Sequence, residues 1–192
     1  GHESSFIMLP YTFEVFSLDH IVSIIVILFL FIIFLGYKDK IGIKDDSKTF
    51  LIVLSVRMIF LDLSEDLVRI FTGYYSITKD LHLQLCSIGV YLAAFNLMYR
   101  NQTIFNLIFY WGFVGATNAI LTPDGDLFEL RIFFFYSQGY HAALIFAVLW
   151  MMIKYDMRMD YRSILQVVIY TNIIVGLITI VNYVLDLSLI HI

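Results

Sequence analysis

Residues 20–37 read HIVSIIVILFLFIIFLGY, an apolar run broken only by Ser23 and closed by Gly36-Tyr37, with no charge between Asp19 and Lys38. In water such β-branched richness would suit strands. At about 1.5 Å rise per residue, however, a helix of roughly 20 apolar residues crosses the hydrocarbon of a bilayer. In lipid a helix is favoured because it satisfies every backbone donor and acceptor internally. A membrane β-barrel would instead show alternating segments of about 10 residues, and no such alternation is visible. The run therefore predicts a transmembrane helix, and the rest of the chain divides around it.

The same criterion predicts five more spans, Thr49–Phe71, Leu81–Tyr99, Ile104–Leu121, Ile132–Ile153 and Ser163–Leu185. The expected fold is an all-α membrane protein, a bundle of about six transmembrane helices forming one integral membrane domain over residues 1–192. Composition agrees: 60% of the 192 residues are apolar, 15% are charged and mean hydropathy is +0.85. A soluble domain is nearer 25% charged, so this chain lacks the polar surface to coat one, and the same apolar excess excludes disorder. A net charge of −4 without a basic stripe excludes nucleic acid as a partner. One cysteine excludes an intrachain disulfide, and the scattered histidines give no metal-ligand spacing. No cofactor is implied, and nothing in the sequence sets an oligomeric state.

Lys38, Lys40, Lys44, Lys48, Arg100, Lys154, Arg158 and Arg162 fall in loops one, three and five, against Lys79 and Arg131 on the opposite side. Cytoplasmic loops carry the excess of Lys and Arg, so both termini are expected outside.

Ionisable groups inside spans are costly and are candidates for function. The second span holds Arg57, Asp62, Glu65, Asp66 and Arg69, the last four at helical spacing on one face. Two readings stand side by side. One is a buried ion-pair network; in the other Arg69 or Arg57 also grips a lipid phosphate. In the third span His82 and Cys86 stack one turn apart, with Gln84 between them. A thiol beside a base becomes a nucleophile, yet a lone cysteine in an apolar helix is usually packing. Asn118 lies near the outer end of the fourth span, and Ser137, Gln138 and His141 lie in the outer half of the fifth. With His20 at the outer end of the first, these positions predict a polar cavity open to the outside.

Several segments together resemble a known family. They are Phe16-Ser17-Leu18-Asp19-His20, the Leu-His-Leu-Gln-Leu-Cys run at 81–86, Phe109-Tyr110-Trp111-Gly112, Ala119-Ile120-Leu121-Thr122-Pro123, Phe133-Phe134-Phe135 followed by His141, and Asn182-Tyr183. Their order over most of the chain is similar to the YwaF-like family of small integral membrane proteins. Eukaryotic relatives of that family include an acyltransferase that moves acyl chains between phospholipids through a cysteine in the third-span motif. The resemblance implies Cys86 as nucleophile, with His141 or His20 as its histidine partner. It also implies membrane lipid as substrate and a multi-pass protein of the cell membrane, in bacteria the plasma membrane. The chain departs from the family where His82 replaces a common proline; at 84, where the family has His or Gln, it carries Gln. Around the nucleophile, Gln84, His82, Asn118, Arg69, Glu65, Asp62 and Trp111 are the expected substrate-binding residues. The alternatives are a membrane subunit that captures a small molecule, as vitamin-binding transporter subunits do, and a structural membrane protein with no ligand.

Overall fold

A computed structural model describes residues 10–37, 48–76, 85–125 and 128–185. Within them the chain forms six helices: α1 (Leu18–Tyr37), α2 (Lys48–Thr72), α3 (Leu85–Tyr99), α4 (Gln102–Leu121), α5 (Arg131–Lys154) and α6 (Tyr161–Leu185). Among the described residues there is no strand, only an isolated bridge between Pro10 and Leu130.

Four helices, α1, α4, α5 and α6, are long and apolar enough to cross a membrane. The other two predicted spans differ for separate reasons. α2 is 25 residues long but carries too many charges to qualify by composition. α3 has 15 described residues, and residues 81–84 of that predicted span lie outside those described.

α2 is amphipathic in the inverse sense to a soluble helix. Val53, Val56, Phe60, Leu63, Leu67 and Ile70 are exposed, whereas Asp62 and Arg69 are buried and Glu65 and Asp66 half-buried. Arg57 is exposed on the apolar side. Apolar faces also lie open along α1 and α6, which bury 17% and 11% of their apolar windows against 50% for α5. A soluble monomer rarely leaves a contiguous apolar surface of this extent facing water. Facing acyl chains it is unstrained, and the protein is a multi-pass membrane protein.

The core lies around α5, which packs on α1, α2, α3 and α4, while α6 packs on α4. Trp150, Leu144 and Met151 of α5 meet Met58 of α2, Leu97 of α3 and Phe105 and Ile108 of α4, all fully buried. α1 runs parallel to α5. Asp19 at its start forks onto Arg131 with two short bonds, Nε–Oδ2 2.6 Å and Nη2–Oδ1 2.7 Å, and Phe34 near its end stacks on Trp150 at 5.9 Å. Paired, near-planar contacts of this kind are the strong form of a carboxylate–guanidinium bond.

The turn from α3 to α4 takes two residues. Arg100 adopts φ +54°, and Asn101 caps α4 by accepting from the Ile104 amide at 3.0 Å. Such a short turn makes the two helices antiparallel neighbours. In mid-span α4 loosens into a π-helical segment, Phe109–Gly115, a form that is rare and occurs mostly as short bulges, often at functional sites.

Candidate functional site

α3 and α5 run side by side in the same direction. Leu144 packs against Gly89, with its Cδ2 at 3.5 Å from where a Cβ would stand. Two turns further along, the Asn96 amide reaches Met151 Sδ at 3.4 Å across an interval of 55 residues. Gly89 and Leu144 are separated by that same interval, and so are Cys86 and His141. In a parallel helix pair, residues three and four apart form successive facing layers, as positions a and d do in a coiled coil. Stepping back three residues from the Gly89–Leu144 layer gives Cys86 and His141 the same depth on the two parallel helices, about 4.5 Å from that layer.

Glycines allow this closeness. A Cβ on Gly112 of the π segment would stand 2.9 Å from Leu144 Cγ, so α4 fits against α5 only because residue 112 has no side chain. Gly89 touches Trp111 Cβ at 3.8 Å by the same measure. α3, α4 and α5 thus meet at Gly89, Gly112 and Leu144, one turn below Cys86 and His141.

Hydrogen bonds assign the protons of the two histidines. His141 Nδ1 lies 2.8 Å from the Ser137 carbonyl. A carbonyl only accepts, so Nδ1 carries the proton and Nε2 presents a lone pair. His20 takes the opposite tautomer. Its Nδ1 accepts from the Phe16 amide at 3.1 Å, and its Nε2 donates to the Ile120 carbonyl at 2.9 Å. Both His20 nitrogens are occupied by backbone, and the ring, fully buried, pins α1 to the last turn of α4.

The charged face of α2 closes the same end of the bundle. Arg69 Nε pairs with Glu65 at 3.1 Å and Nη1 with Glu129 at 2.9 Å, and the guanidinium covers the Phe133 ring at 4.0 Å. Asp62 is hydrogen-bonded to Tyr91 of α3. Tyr140, next to His141, lies within electrostatic reach of Glu65, Cys86 and Asp62. Outside the spans, Tyr11 sits by the Asp19–Arg131 fork, and burial, then the charge of Asp19, pushes its hydroxyl up. Among the described residues no three His, Cys, Asp or Glu side chains gather to hold a metal ion.

The expected site residues divide accordingly. Cys86 (half-buried), His141, Asp62, Glu65 and Arg69 lie on the mutually packed helices α2, α3 and α5. Trp111 is buried beside them, but its indole donates to Thr171 of α6 at 3.0 Å. Asn118 is exposed, and its backbone carbonyl accepts from the amide and hydroxyl of Thr122. His82 and Gln84 lie outside the described residues. Reasoning from spacing missed Glu129, which has no periodic relation to Arg69. It also left Gln138 without a role, although Gln138 is one turn from His141.

Residues 15–192 match the model of the TMEM164 family, and the chain belongs to this family of transmembrane proteins. No curated protein and no solved structure matches it.

Proposed function

We propose that this TMEM164 family protein is a lipid acyltransferase, with Cys86 as acyl carrier and His141 as its proton acceptor. One observation carries the reading. Cys86 and His141 share the 55-residue interval of the Gly89–Leu144 contact between the parallel helices α3 and α5, and the Ser137 carbonyl holds the His141 Nδ1 proton. That arrangement leaves Nε2 as a base, and a base within reach activates a thiol for covalent catalysis. His20 offers no such nitrogen. The resemblance to the YwaF-like family and its acyltransferase relative points to the same cysteine.

The chemistry balances in two steps. Cys86 Sγ attacks the ester carbonyl of a donor lipid, and its proton passes to His141 Nε2. The C–S bond forms, the C–O bond breaks, and the departing lysolipid oxygen takes the proton. An acceptor hydroxyl then attacks the thioester and loses its proton through the same nitrogen. The acyl C–O bond forms and the thiolate leaves. The membrane supplies donor and acceptor from the plane in which Cys86 lies. In this reading all six helices span the membrane, both termini face outward, and the site opens to the outer half of the bilayer.

The test is thioester formation. Purified protein in mixed micelles is given phospholipid donors of several headgroups and, separately, p-nitrophenyl palmitate. Intact mass should show one acyl group that hydroxylamine removes, absent in Cys86→Ser and formed more slowly in His141→Ala. If no donor yields an acyl adduct at Cys86, the proposal fails.

A further inference from the structure

Gln138 is 3% exposed, and neither its amide nitrogen nor its amide oxygen has a hydrogen-bond partner among the described residues. Leaving both ends of a primary amide unmet in an apolar bundle is unfavourable, and native structures keep such groups only where something else meets them. Its position says what that is. Gln138 precedes His141 by three residues, so the two share a face of α5.

The opposite wall is α4, which runs antiparallel to α5. Gly112 lies against Leu144, and the Ile120 carbonyl accepts from His20, whose ring meets Phe134 edge-on at 6.4 Å. Between those two levels, the small residues Gly115 and Ala116 lie at about the depth of His141.

We infer that Gln138 is a catalytic residue whose amide N–H binds the substrate's acyl carbonyl oxygen and holds the oxyanion formed when Cys86 attacks. The inference rests on the acyltransferase reading and deepens it. A tetrahedral intermediate places a full negative charge on that oxygen. A preorganised donor in a site closed to water stabilises the charge without reorganising. The amide N–H is thus unmet in the free protein and met in the transition state.

Gln138→Leu separates this role from a structural one. Leucine is close in size and removes a buried amide that has no partner, so the variant should melt at or above the wild-type temperature. Acylation of Cys86 by p-nitrophenyl palmitate should slow by about 10²–10³-fold, the usual loss for one oxyanion donor. The fall should lie in kcat, with KM little changed. Alkylation of Cys86 by iodoacetamide, which forms no oxyanion, should keep its wild-type rate.

Three outcomes overturn the inference. Acylation of Gln138→Leu within about threefold of wild type removes the donor role. A matching fall in iodoacetamide reactivity shows that Gln138 acts on the thiol or the fold. A lowered melting temperature shows that the amide serves the native structure. A wild-type protein that forms no thioester defeats the parent reading, and this one falls with it.

Discussion

Two histidines of the same chain are set to opposite tasks by which of their nitrogens meets a carbonyl. His20 is consumed by backbone on both sides, Phe16 N–H on one and Ile120 C=O on the other. His141 spends Nδ1 on Ser137 and keeps Nε2. Removing His20 leaves an amide and a carbonyl unmet, at about 1–3 kcal/mol for each buried group. His20→Ala should therefore lower thermal stability in detergent while the folded protein still acylates Cys86. Unchanged melting with acylation abolished would transfer the role of base from His141 to His20. Arg69 belongs to the same scale. Its pairs with Glu65 and Glu129 are largely withdrawn from solvent, unlike Arg158–Asp156, whose side chains are 68% and 84% exposed. Exposed pairs contribute about 0–1 kcal/mol. The Arg69 cluster instead holds α2 to the segment before α5 in a setting where an uncompensated charge is costly.

Among the helices, the decisive contacts are made by residues with almost nothing to contribute but their size. A methyl group on Gly112 would meet Leu144 Cγ at 2.9 Å, and Leu144 is itself fully buried, so it has nowhere to move. Gly112→Ala should cost about 1–3 kcal/mol, the usual range for overpacking, and should slow acylation by shifting α5 against its neighbours. Gly139→Ala is the control. Nothing lies within 4 Å of the added carbon at this α5 position, and alanine favours a helix over glycine by about 1 kcal/mol. Melting curves of the two variants in one detergent should therefore move in opposite directions. Adding Leu144→Ala to Gly112→Ala should recover part of the loss. Equal melting temperatures for both glycine variants would show that α4 can retreat from α5 at no cost.

For the molecule as a whole, the ends of the bundle differ in chemistry. One end carries Asp19, Glu65, Glu129 and the arginines that answer them. The other carries Arg100 over the Tyr155 ring at 4.1 Å, with Lys154 and Arg158 close by in sequence. The asymmetry of Lys and Arg predicts that the second end is cytoplasmic. Cysteines introduced singly at Asp124 and Asp156, both exposed, test this in a Cys86→Ser background. A membrane-impermeant maleimide applied to intact cells should label Asp124→Cys and not Asp156→Cys. The reverse pattern would invert the protein and turn the site toward the cytoplasm.

Membrane residence, helical class and the inward charge of α2 were legible in the chain, because each depends on local quantities: length of apolar run, backbone satisfaction in lipid, and a period of 3.6 residues. The positions of His20, Cys86 and His141 were legible as depths along their own helices. What depth leaves open is rotation about each axis and the register between helices. Those are set by which side chains fit together across an interface. Only the packed structure therefore fixed the register of α3, α4 and α5, since it depends on Gly89 and Gly112 yielding to Leu144. The proton positions on the two histidines also came from tertiary structure, because a tautomer is chosen by the neighbour on each nitrogen. For His20 one of those neighbours, the Ile120 carbonyl, is a hundred residues away.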